Sequence, residues 1–343
     1  MNKKNIFLGS FLLLVILAAT AYILGREFSF SALFSALHTA DFRFVALGLC
    51  CMLVFLSGEG INTGRALILC GYRPRPLHLV TYAASGFFFS SITPSASGGQ
   101  PAQLVYMKKN GIRLSGGSFS LLLVLLSFQT AAITWGIIGI LHFSAAHDLL
   151  AAEGNWFFLF LLGASLNVIE VILLIGLMFS SRFSVFAAGV LCFITEKIFR
   201  RENGRQKALR AMAEYRGAAR LFRRHPLFFP KLFAVSFLEM TAFHSIPYFA
   251  FRALGYTALS WWQSVCMQGM LFISVSSLPL PGAAGVTEGG FALLFSPFLG
   301  MENIGSAMIL SRSISFLFPL LLCGVFLLGD RLFGMRRKKQ ASI

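Results

Sequence analysis

The chain has 343 residues, 57% hydrophobic and only 12% charged, with a mean hydropathy of +0.76. A soluble domain carries about a quarter charged residues, so this composition excludes a water-soluble globular fold. The net charge of +16 invites a nucleic-acid reading, but the basic residues fall in short blocks between apolar runs, which points to a membrane surface.

Along the chain, Lys3 and Lys4 precede the apolar run Ile6–Leu24, the first expected span. Ala19-Thr20-Ala21 resembles a signal-peptide cleavage site, but the apolar run continues to Leu24, which favours a span. Phe44–Ser57 is the next span, followed by Glu59 and Asn62, three apart and therefore on one helical face. Arg65 is expected to snorkel at the membrane edge. Leu79–Thr93 is apolar and then broken by Pro94-Ser-Ala-Ser-Gly-Gly-Gln-Pro101, which cannot continue as regular helix. Leu121–Leu141 and Trp156–Phe179 are full-length spans, the latter carrying Asn167 and Glu170 on one face. Arg182–Lys231 holds twelve basic and three acidic residues. Within it Leu209, Met212, Tyr215, Ala219 and Phe222 recur at helical steps between arginines, so about 182–230 reads as an amphipathic helix on an anionic leaflet. Leu232–Phe251 is a span with Glu239 and His244; Ser260–Phe298 is apolar but broken at Pro279–Gly285; Ile304–Leu328 is the last span and contains Arg312. Arg336, Arg337, Lys338 and Lys339 lie in a basic tail, 336–343.

The basic loops place both termini in the cytoplasm of a multi-pass protein of the cytoplasmic membrane. Leu79–Met107 has basic flanks on both sides, so it enters and leaves from one face as a re-entrant hairpin. Six full spans with both ends inside then require Ser260–Phe298 to be a hairpin from the opposite face. Ser90-Ser91 followed by Pro94, Gly98 and Gln100 is echoed by Ser276-Ser277 followed by Pro281, Gly285 and Glu288. The expected fold is an all-α membrane bundle of about six spans plus two hairpins, with Phe44–His142 and Lys231–Leu328 as inverted repeats.

Ionisable side chains at membrane depth mark a pathway, a partner or a site. These are Glu59, Glu170, Glu239, Glu288 and Arg312, helped by Asn62, Asn167, Gln100 and His244. Arg312 needs a carboxylate, Glu288 or Glu239, or a lipid phosphate. His244 reads as a hydrogen-bonding packing residue. Gly98, Gly99, Gly282 and Gly285, beside Pro281, either offer N–H groups to an anion at a helix start or only permit the tight turn. The six Cys lie mostly in apolar surroundings without metal spacing, and no cofactor or metal is expected. No GxxxxGK[ST] is present.

Thr93-Pro94 through Ser97-Gly98-Gly99-Gln100-Pro101, with Pro279-Leu-Pro281-Gly282-Ala-Ala-Gly285-Val-Thr-Glu288, resemble the two hallmark segments of the lysylphosphatidylglycerol synthase transmembrane family. Ala307, Arg312, Pro319 and Gly324 look like its closing segment. The resemblance implies one flippase-like membrane domain over 1–335, similar to the amino-terminal half of the multiple peptide resistance factor. Gln100 stands where the family commonly has Glu, which speaks against an ion-coupling carboxylate at that position. No segment here is expected to form the aminoacyl-transferase domain of bifunctional relatives.

The expected activity is translocation of a phospholipid or polyprenyl-phosphate lipid, with Gly98, Gly99, Gln100, Pro281, Gly282, Gly285, Glu288 and Arg312 at the headgroup. Glu59, Asn62, Glu170 and Glu239 are the expected cavity or coupling residues. The alternatives are a membrane partner of a separate lipid synthase or glycosyltransferase, a phosphatidylglycerol lysyltransferase by family name, and an intramembrane lipid-modifying enzyme.

Overall fold

A computed structural model of the chain describes residues 30–93, 96–143, 154–180, 227–276 and 286–340, with 217, 220, 222, 224 and 225. The expected first span Ile6–Leu24, nearly all of the amphipathic segment, Pro94 and the second apex with Pro281, Gly282 and Gly285 lie outside the described residues.

The described residues are helical, without strands. In chain order the elements are α1 (Phe30–Thr39), α2 (Phe42–Leu69), α3 (Pro76–Ser91), α4 (Gly99–Lys109), α5 (Leu114–Phe143), α6 (Gly154–Phe179), α7 (Phe228–Ala253), α8 (Trp261–Val275), α9 (Val286–Leu299) and α10 (Met301–Arg312). A π-turn at Ser313–Leu317 joins α10 to α11 (Phe318–Gln340).

Among the described residues, four helical stretches are long and apolar enough to cross a membrane: Phe42–Leu69, Leu114–His142, Phe160–Phe179 and Glu302–Arg331. The expected span Leu232–Phe251 forms as α7 but is not among the four. Its polar residues Ser236, Glu239, His244 and Ser245 are all buried, so α7 sits inside the bundle and its face toward lipid is small. The broken regions are shorter. At 1.5 Å per residue, α3 and α8 rise about 24 and 22 Å, less than the ~30 Å hydrocarbon core.

Local chemistry sets the boundaries. Asp41 caps α2 by accepting from the Arg43 N–H, and Ser260 with Gln263 closes a reciprocal capping box on α8. Pro76 begins α3, where no intrahelical N–H is needed. Pro319 offers no N–H to the Ser315 carbonyl, and the chain widens there into the π-turn, with the Phe318 N–H reaching Ser313 O.

The packing repeats itself. Antiparallel α2 and α7 form the central pair: the Asp41 N–H donates to Ala253 O (2.8 Å) at one end, and Arg65 Nη1 donates to Lys231 O (3.1 Å) at the other. The α3–α4 hairpin follows α2 and packs on α11; the α8–α9 hairpin follows α7 and packs, through α8, on α5. Exchanging α2–α5 for α7–α11 maps these packed pairs onto one another. The two halves are therefore repeats, and the antiparallel central pair makes them inverted, since repeats related by an axis along the membrane normal would run α2 and α7 parallel.

The hairpins start from opposite ends. α3 begins beside the Arg65–Lys231 end, whereas Trp262 at the start of α8 donates to His142 Nδ1 at the far end of α5 (3.4 Å).

Candidate functional site

The first hairpin is closed by side chains and glycines. Thr93 Oγ1 donates to Phe89 O (2.6 Å) and accepts from the Gly98 N–H (2.8 Å), while Ser90 Oγ donates to Ala96 O (3.2 Å). Ala96 has a positive φ of 52°. A Cβ on Gly99 would overlap Ser90 Oγ and come within 2.6 Å of Gly86 O, so α3 and α4 meet backbone to backbone there. Gly98 and Gly99 thus let the tip close, and the Gly98 N–H already has a partner. Gln100 is exposed.

The arms of both hairpins, next to their tips, line a cavity of about 290 Å³. Ser90, Ser91 and Ala96 come from the first; Val275, Ser276, Thr287 and Phe291 come from the second. The last span adds Ser311, Arg312 and Ser315, and Phe55, Phe87, Phe243 and Phe272 make the aromatic walls. Phe55 of α2 and Phe243 of α7 are in ring contact, with centroids 5.1 Å apart. The wall expected from Gly98–Gln100 is formed instead by the serines at the end of α3, because the glycines are used to pack α4 onto α3.

Arg312 ends α10, about 18 Å along it. Its Nη2 forms an ion pair with Glu288 Oε1, which selects Glu288 over Glu239 as the carboxylate partner. Glu288 lies in the first turn of α9, where the helix dipole favours a negative charge. Arg312 Nε has no hydrogen-bond partner among the described residues, and the side chain is 15% exposed into the cavity region.

A second polar cluster lies on the α2–α7 crossing. Gln103 Nε2 on α4 donates to Glu59 Oε1 (3.1 Å), passing over Gly86, where any Cβ would collide with the Gln103 amide. Glu239 packs into a matching notch at Gly58 and is 1% exposed. Asn62 Nδ2 donates to Leu232 O (3.1 Å) and Ser236 Oγ (3.0 Å), and Ser236 Oγ meets Ser127 Oγ of α5 (2.8 Å).

The remaining candidates hold α6 in place. Glu170 accepts from Gln129 Nε2 of α5. Asn167 Nδ2 donates to Ile273 O (3.0 Å), and its Oδ1 accepts from Ser276 Oγ (3.2 Å), clamping the end of α8. Asn167 and Glu170 share a helical face but meet different helices.

His244 departs from its expected role. It is fully buried and packs against the rings of Trp135, Phe243 and Phe272, and neither ring nitrogen has a hydrogen-bond partner among the described residues. Arg65 is exposed at the basic end, as expected of a snorkelling residue.

Sequence reasoning missed Gln103, the 3%-exposed donor to Glu59, and Gln268, whose Oε1 faces the cavity region without a partner among the described residues. For Gln268 the available signal was a glutamine inside an apolar half-helix; that Gly86 opens the path of Gln103 to Glu59 is visible only in three dimensions.

Compared with known proteins, residues 6–323 match the family described as the lysylphosphatidylglycerol synthase TM region. The chain belongs to this family. It is also similar to a UPF0104 membrane protein of Archaeoglobus fulgidus, 23% identical over 271 residues that cover 72% of this chain and 74% of that protein. The family match embraces α1–α10 and most of the last span, so both hairpins and Arg312 fall within it.

Proposed function

We propose that this member of the family moves a phosphate-bearing lipid, a phospholipid or a polyprenyl phosphate, between the leaflets of the cytoplasmic membrane, with the basic end of the bundle in the cytoplasm. The observation that carries this reading is the cavity between the arms of the two opposed hairpins. It combines a guanidinium, five serine hydroxyls and aromatic walls. Arg312 receives the phosphate in place of the Glu288 carboxylate, since each presents two anionic oxygens to its planar fork. The hydroxyls replace headgroup water, and the phenylalanines keep the chamber compatible with acyl chains.

An apolar groove of about 420 Å³ between α2, α3 and α11, lined by Leu53, Leu79, Ala83, Leu322 and Phe326, gives the lipid tails a surface on which to remain. Small rotations of one hairpin against the other expose the chamber to each side in turn, as in other inverted-repeat carriers.

The test is a leaflet-exchange assay in liposomes with fluorescent phosphatidylglycerol and a membrane-impermeant quencher. The purified chain is expected to expose inner-leaflet probe to quencher, and Arg312→Ala to abolish the exchange. Folded wild-type protein that moves neither this probe nor a polyprenyl-phosphate probe refutes the reading.

A further inference from the structure

We infer that Glu59 and Glu239 form a binding site for one proton at the α2–α7 crossing, and that this proton drives the lipid movement proposed above. The second half rests on the translocation reading; the first half does not.

The site is built rather than incidental. Glu239 occupies the notch of Gly58, the residue that precedes Glu59 on α2. Glu239 is 1% exposed, and neither carboxyl oxygen has a hydrogen-bond partner among the described residues.

Counting protons explains why. Ser127 Oγ donates to Val124 O (3.0 Å) and shares one proton with Ser236 Oγ (2.8 Å). Ser236 also accepts from Asn62 Nδ2, and whenever its single proton goes to Ser127 it has none for Glu239, its neighbour one turn along α7. Asn62 Oδ1, on a fully buried side chain, is likewise without a partner. Glu59 holds one amide donor, Gln103.

No compensating cation stands at this depth among the described residues. On α7 the next titratable group is His244, in its aromatic cage. On α3 the Tyr82 hydroxyl accepts from Asn110 Nδ2 (2.9 Å), and on α4 Tyr106 lies beneath Lys109. Arg312 is engaged by Glu288, and Arg65 and Lys231 meet at the basic end. α5 contributes Ser127, and its His142 is at the far end. Two carboxyl groups so placed, with one amide donor between them, cannot both remain ionised; one proton relieves the repulsion and supplies the missing donor.

The pair is also placed to act on the cavity. Phe55 is one turn from Glu59, and Phe243 is one turn from Glu239, on the same side because the helices are antiparallel. Those two rings touch and line the chamber. Gln103 ties Glu59 to the returning arm of the first hairpin. Uptake of the proton turns a carboxylate into a carboxylic acid, and its release restores the carboxylate. Either event changes the attraction across the α2–α7 crossing and on Gln103, and so shifts the chamber floor and one hairpin together.

Two measurements test this separately. Infrared difference titration of the purified full chain, without any lipid probe, is expected to show a protonated-carboxyl band that is lost in Glu239→Gln and shifted in Glu59→Gln. Gly58→Ala, which pushes the two groups apart, moves its midpoint. A folded wild type with no such band, or with one unchanged in all three variants, overturns the site. In liposomes with fluorescent phosphatidylglycerol, one coupled proton supports a leaflet ratio of up to about tenfold per unit of imposed pH difference. Glu239→Gln, or Glu59→Gln should the former not fold, abolishes the response to the gradient. A carboxyl band with a leaflet ratio indifferent to pH, or dependent on sodium instead, overturns the coupling. Wild type that moves no probe defeats the coupling together with the translocation reading, while the titration still decides the site.

Discussion

Arg312 and Glu288 were both recognisable as residues out of place in hydrocarbon, and their pairing explains how the membrane tolerates them. Removing Glu288 leaves a guanidinium without its counter-charge. Glu288→Ala is therefore expected to cost about 2–3 kcal/mol, less than for a fully buried pair because both groups are partly exposed, read as a lower Tm in detergent. Arg312→Lys retains the charge but loses the fork, so exchange is expected to fall roughly tenfold with the fold intact. Asn62 poses a different problem. Asn62→Ala removes the amide that bonds Leu232 O and Ser236 Oγ across the α2–α7 crossing and is expected to cost about 1–3 kcal/mol by thermal denaturation. The identities of all these residues were legible, whereas their partners lie far apart in the chain. The Asn62–Ser236 bond spans 174 positions, and no local spacing encodes it.

The elements depend on small residues at the points of closest approach. Gly99→Val drives a side chain into Ser90 and Gly86 O, while Gly86→Ala displaces the Gln103 amide from Glu59. The first is expected to open the α3–α4 hairpin, detected as increased cysteine labelling at Ser91→Cys. The second costs roughly 1–3 kcal/mol from overpacking and loss of the bond. Proline and glycine clusters were enough to show that Leu79–Met107 and Ser260–Phe298 do not cross as single helices. They did not show which side chains reach the chamber. The reason is steric: Gly99 is consumed by the α3–α4 contact, and the wall falls to Ser90 and Ser91. The π-turn after Arg312 has a local cause in Pro319, yet the widened turn was not anticipated, because a proline near a helix start is usually silent.

On the scale of the whole molecule, the exchange of hairpins between halves is the organising feature: each hairpin packs on the span that follows the other. Two expectations follow from the antiparallel central pair. A disulfide between Arg65→Cys and Lys231→Cys forms at the basic end, and one between Asp41→Cys and Ala253→Cys at the other, in a background without native cysteines. Impermeant reagents label Arg73→Cys and Ser260→Cys from opposite sides of sealed vesicles. Labelling of both from one side would contradict the inverted arrangement and, with it, the opposed chamber.

Sequence by itself determined the solvent, the helical class, the two interrupted stretches and the set of polar residues that hydrocarbon must accommodate. Each of these follows from local composition, because lipid forces every backbone group into a helix and makes any charge conspicuous. The tertiary structure decided the pairings: Arg312 with Glu288, Gln103 with Glu59, Asn167 with the end of α8, and the inner place of α7 in the bundle. Those pairings depend on notches at Gly58 and Gly86 and on which hairpin meets which span, and steric fit between distant segments leaves no periodic trace in one chain.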